Sequence, residues 1–107
     1  MRRLNLNPAN SNKEIFEFLS KKNPNAITFP DLEEAFIGVV FDDEKQSHIA
    51  VYSYDKMIKI TMDSMREKFI ELYGKDEEKL KFEAIEYLEY NTLSLMTGND
   101  DPMIMYN

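Results

Sequence analysis

The sequence predicts a small α+β domain, in which an antiparallel β-hairpin packs against two or three α-helices and the C-terminal segment is available as a third strand. Three observations predict it. Two β-rich stretches, "AFIGVVF" (35–41) and "SHIAVYS" (47–53), flank a short charged segment; the apolar period changes from two to between three and four after Tyr54; and 107 residues at 43% hydrophobic and 12% aromatic are enough for one core but not for two. A single domain over 1–107 follows, with an N-terminal helix and extended connector in 1–30 and the α+β core in 31–107.

Taken in order, "SNKEIFEFLSKKNPN" (11–25) pairs Ser11 with Glu14 at capping-box spacing, so a helix is expected over about 12–21, with Ile15, Phe16 and Leu19 on its apolar side and Asn23-Pro24 as its stop. Residues 22–30 hold two of the four prolines and read as an extended connector, whereas Asp31 to Asp101 contains none. "AFIGVVF" is apolar on both faces and is expected to be the more central strand; "DDEKQ" (42–46) suits a hairpin loop. In the second strand Ile49 and Val51 alternate with His48, Ala50 and Tyr52, which predicts one core face and one partly wet face.

Ile58, Met62, Met65, Phe69 and Leu72 recur at alternating spacings of four and three, placing them along one face of a helix that Gly74 ends. The capping-box pattern "SMRE" (64–67) offers a break near Asp63 instead; the unbroken stripe favours a continuous or kinked helix. A last helix is expected over about 77–96, with Leu80, Ala84, Leu88 and Leu95 sharing a face and Glu77 and Glu78 at its positive end. "NDDPMIMYN" (99–107) then makes a turn and a short edge strand over Met103 to Tyr106, pairing within the chain or across a dimer.

Charge and composition narrow the function classes. Lysine and arginine total 13 against 20 acidic residues, a net charge of −7, which disfavours general nucleic-acid binding because phosphate affinity comes from cationic side chains. No apolar run approaches the roughly 20 residues that span a bilayer. The basic opening "MRRLNLN" lacks a following apolar run, so no signal peptide is expected and a cytoplasmic location fits. Zero cysteines exclude disulfides and thiolate chemistry. The single His48 cannot build a three-histidine metal site, "DDEK" lacks the ligand periodicity of a calcium loop, and the glycines at 38, 74 and 98 are isolated, so no catalytic residue, metal site or cofactor is expected.

Two constellations remain as candidate partner-binding sites. Tyr52, Tyr54, Asp55 and Lys56 sit on the strand-to-helix junction; Asp55 as a helix cap, and two tyrosines with buried rings and wet hydroxyls, account for them without a ligand as well as with one. On the last helix Glu83, Glu86, Tyr87 and Tyr90 share a side away from the Ala84 and Leu88 face, making an acidic, tyrosine-bearing stripe that suits a basic partner or, equally, a solvated face. Asn91 lies near the core side of that helix, where a buried amide would tie it to the loop at Gly98 to Asp101.

Several of these residues carry a resemblance. "EEAFIG" (33–38), "AVYSYDKMIKI" (50–60) and "EAIEYLEYN" (83–91), followed by Gly98 and Pro102, resemble a family of small proteins encoded by bacteriophages and prophages, with an Ala-x-Ile-Gly, a Tyr-x-Tyr-Asp-Lys and a Glu-Ala-x-Glu-Tyr-x-x-x-Asn pattern. The likeness runs from about Asp31 to Pro102. Ser53 stands where the pattern carries an acidic residue, and the stretch from about Asp63 to Lys81 is longer than is usual there. The resemblance implies a phage origin and supplies no catalytic residues. With the acidic charge it leads to the expectation of a non-enzymatic, phage-encoded interaction protein that binds a bacterial host protein in the host cytoplasm, an anti-defence (anti-CRISPR-like) inhibitor being one such role. The alternatives are a binder of a nucleotide or other small-molecule ligand between the Tyr54 junction and the Glu83–Asn91 helix, and a virion assembly component that forms a homo-oligomer through its methionines and apolar tail.

Overall fold

In the computed structural model, which describes residues 2–3, 12–96, 98 and 100–106, the chain forms a small α+β arrangement. Strands β1 (Arg2–Arg3), β2 (Phe36–Asp42), β3 (Ser47–Ser53) and β4 (Met103–Met105) make one sheet in the order β1-β2-β3-β4. Helices α1 (Asn12–Lys22), α2 (Tyr54–Tyr73) and α3 (Glu77–Asn91) complete it, with 3-10 turns at Pro30–Ala35 and Leu93–Leu95.

The expected hairpin is β2 and β3, antiparallel with Val39 opposite Ala50 and Val40 opposite Ile49. Its loop is set by Asp42, whose Oδ1 accepts hydrogen bonds from the Glu44 and Lys45 amides at 3.0 and 3.3 Å, as short acidic side chains do at turns. A bulge between Phe36 and Gly38 shifts the register, at the point where the chain leaves the 3-10 turn.

Three features of the sheet differ from the sequence-based expectation. The terminal segment does add a strand within the chain, but β4 runs parallel to β3, with Val51 opposite Met103 and Ser53 opposite Met105. Parallel neighbours need a long crossover, and the α2–α3 hairpin between them is that crossover. The residues Arg2–Arg3 pair with Val40 and Phe41, so β2 and β3 are both interior strands. And β3 has no wet face from Ile49 to Tyr52: all four residues are buried. Ala50 and Tyr52 face the main core with Leu19, Phe36, Val39, Met57 and Leu88, while Ile49 and Val51 pack with Val40, Ile37, Met103 and Met105 on the other side.

Among the helices, α1 buries Leu19 and rests Phe16 edge-on against Phe36 at 5.9 Å; the Ser11 half of its expected capping box lies outside the described residues. α2 is continuous through Ser64, so the "SMRE" pattern starts no new helix. Its cap is Ser53, whose hydroxyl accepts from the Lys56 amide, while Asp55 lies in the first turn and favours the positive helix end without capping it. The stripe is buried at Ile58 and Phe69 but not at its far end, where Leu72 is 64% exposed. Gly74 ends α2 at φ +80, a left-handed conformation that glycine adopts without strain, and its amide reaches the Ile70 carbonyl at 3.1 Å. Asp76 caps α3, and Arg66 joins the two helices through Glu77. α3 stops at Asn91, earlier than the expected 96, because the β-branched Thr92 leaves helical geometry (φ −129, ψ −62) and the chain tightens into the 3-10 turn.

Candidate cleft and acidic helix face

The connector and the C-terminal loop come together through one side chain. Asn23, 9% exposed, donates from Nδ2 to the His48 carbonyl at 2.8 Å and to Asp100 Oδ1 at 2.9 Å, and its own Oδ1 accepts from the Asn25 amide at 3.1 Å. The Ile27 amide donates to the Asp100 carbonyl at 2.9 Å, and Asp101 accepts from the Gly98 amide at 2.7 Å. These bonds hold two otherwise irregular segments in register, since a buried amide fixes the backbone that satisfies it.

Between those segments and the helices lies an open cleft of about 810 Å³. Leu32, Phe29, Ile60 and Leu88 give it apolar walls, α2 contributes Thr61 and Ser64, and α3 contributes Tyr87 and Asn91. Asp31, Asp100 and Asp101 supply its only formal charges among the described lining residues, and no lysine, arginine or histidine is among them. Its size and mixed lining fall within the range of ligand sites. Among the described residues no three carboxylate or imidazole groups converge closely enough to hold a metal ion.

The residues singled out from the sequence are separated by this geometry. Tyr52 is core: it is 1% exposed, and its hydroxyl, expected to be wet, accepts from the Phe29 amide at 2.8 Å. Burial raises its pKa, against the opposing effect of that hydrogen bond. Tyr54 is half-buried with its ring 4.6 Å from that of Tyr106, and its pKa is raised by burial and then by the nearby Glu89 carboxylate. Asp55 and Lys56 are exposed. Asn91, expected on the core side, is exposed and donates back to the Tyr87 carbonyl at 3.1 Å, so the tie to the C-terminal loop belongs to Asn23. On α3, Glu83 is half-buried, Glu86 is exposed, and Tyr87 and Tyr90 are 52% and 83% exposed.

Two residues along a helix are about 200° apart, so Glu89 and Tyr87 look to nearly opposite sides of α3. The Tyr54 junction, next to Glu89, and the cleft, lined by Tyr87 and Asn91, therefore do not form one site. What the structure does join is the acidic stripe and the cleft, because Tyr87 belongs to both. Asp31, Asp100, Asp101, Thr61 and Ser64 were not singled out from sequence; the one available signal was the polar, proline-containing character of "NPN" (23–25) and "NDDP" (99–102), which marks irregular backbone in need of side-chain partners.

His48 sits between the rings of Phe18 and Phe41 at 5.7 and 5.0 Å, and burial, with Lys22 nearby, lowers its pKa. No described helix is long and apolar enough to cross a membrane. No protein-family model, curated protein or solved structure matches this chain.

Proposed function

We propose that this is a non-enzymatic interaction protein that binds a basic surface of another protein through the exposed side of α3. The observation that carries this is the stripe of Glu83, Glu86, Tyr87 and Tyr90, in which two large amphipathic rings are left standing in solvent beside two carboxylates. Exposed tyrosines add contact area at small rotamer cost, and carboxylates around them select a cationic partner and speed its approach. The net charge of −7 acts in the same direction at longer range. The phage-like motifs at 33–38, 50–60 and 83–91 support a bacterial host protein, met in the host cytoplasm, as that partner, and inhibition of a defence component as the role. A nucleotide is a poor occupant of the cleft, because its phosphates would face three aspartates.

The test is affinity capture from bacterial lysate with the tagged chain and with a Glu83→Lys/Glu86→Lys variant. We expect one stoichiometric host protein with the parent chain, its loss with the variant, and a retained cooperative melting transition, since Glu86 is exposed and Glu83 only half-buried. Capture that survives the double reversal overturns the assignment of this face.

A further inference from the structure

The cleft and the α3 stripe share Tyr87, and the two have the same sign of charge. We infer that the cleft between the Phe29–Leu32 turn, α2 and α3 is the specificity pocket of that interface, and that its occupant is a short extended peptide segment of the partner in which an arginine or lysine is flanked by apolar residues. The inference rests on the binding role proposed above and names the chemistry of the segment bound.

Three observations define this occupant. Every formal charge among the described residues lining the cleft is negative, which favours a cation and opposes an acidic or phosphorylated segment. No three acidic or histidine side chains among the described residues could together hold a metal ion, which suits a cationic side chain reaching between apolar walls better than a bare ion. Leu32, Ile60 and Leu88 give those walls an apolar surface for the aliphatic stem of lysine or arginine and for its neighbours. A volume of about 810 Å³ is room for several side chains. The walls are also held in place beforehand: Asn23 pins the Asp100 loop, and the Tyr52 hydroxyl holds the Phe29 amide, so less ordering is needed when a segment binds.

The probe is a displayed library of random hexapeptides, selected against the full chain. Selected peptides are then tested in solution against the parent, Asp31→Lys, Ser64→Trp and Glu83→Lys/Glu86→Lys. Asp31 and Ser64 are exposed cleft residues, so both single variants are expected to fold, and a retained thermal midpoint checks it. Enrichment of arginine or lysine between apolar residues, with affinity lost by about tenfold or more in Asp31→Lys and Ser64→Trp, is the expected result. Selected peptides that lose affinity only on the Glu83/Glu86 reversal would place binding on the helix face alone; that outcome overturns the pocket and leaves the proposed function standing. Enrichment of acidic or purely apolar peptides, or no enrichment while a small polyamine such as spermidine binds and is blocked by Ser64→Trp, overturns the peptide assignment. No enrichment and no polyamine binding overturns the cleft as a site.

Discussion

At the scale of single residues, Tyr52 joins the sheet to the connector. Its ring lies 4.9 Å from Phe29 and 5.7 Å from Phe36, and its hydroxyl satisfies the Phe29 amide at the start of the cleft wall. Tyr52→Phe keeps the ring and removes the acceptor, leaving a partly buried N–H without its partner; the expected cost is about 1–3 kcal/mol, read by chemical denaturation. The pH dependence fixes the sign. Because burial raises the folded-state pKa above the unfolded value near 10, the contribution of Tyr52 is fully present below pH 10 and declines as pH rises through the folded value. The stability gap between the parent and Tyr52→Phe should therefore narrow in alkaline solution; a gap that stays constant would mean that the hydroxyl is not buried as described.

At the scale of elements, the start of α2 separates two roles that sequence places side by side. Ser53 accepts from the Lys56 amide as the cap, and Asp55, within the first turn, acts only on the helix dipole. Ser53→Ala should cost about 1 kcal/mol, and Asp55→Ala less, about 0.3–1 kcal/mol and decreasing with added salt, because the dipole effect is screened whereas the cap hydrogen bond is local. Equal and salt-independent losses in urea melts would contradict this division.

For the whole molecule, the connections that matter are long in sequence. Asn23 links to His48 across 25 residues and to Asp100 across 77, bringing α1, β3 and the C-terminal loop into one frame. Asn23→Ala should cost about 1–3 kcal/mol, and a double-mutant cycle with Asp100→Ala should show a coupling of about 0.5–3 kcal/mol, as for residues sharing one hydrogen bond. Additive losses would mean that the loop is held elsewhere. Hexapeptide affinity should fall with Asn23→Ala, because it loosens a cleft wall without removing a lining residue.

The amino-acid sequence by itself determined the elements that depend on near neighbours. The hairpin was legible in two β-rich runs around "DDEKQ", α2 in its apolar spacing and its stop at Gly74, α3 in its apolar spacing though not in its end, and the acidic face of α3 in Glu83, Glu86, Tyr87 and Tyr90, because a period of two or of three to four reports which side of one element is apolar. Only the tertiary structure decided the rest. Period cannot tell whether the second face of β3 will be buried, and it is: Ile49 and Val51 are buried there, with Met103 and Met105 from the far end of the chain packed against them. It cannot give the direction of β4, which is set by the α2–α3 crossover, nor can it choose between Asn91 and Asn23 as the amide that is buried. The cleft was illegible for the same reason: its walls come from the connector, two helices and the C-terminal loop, and no local pattern records that segments so far apart in sequence will meet.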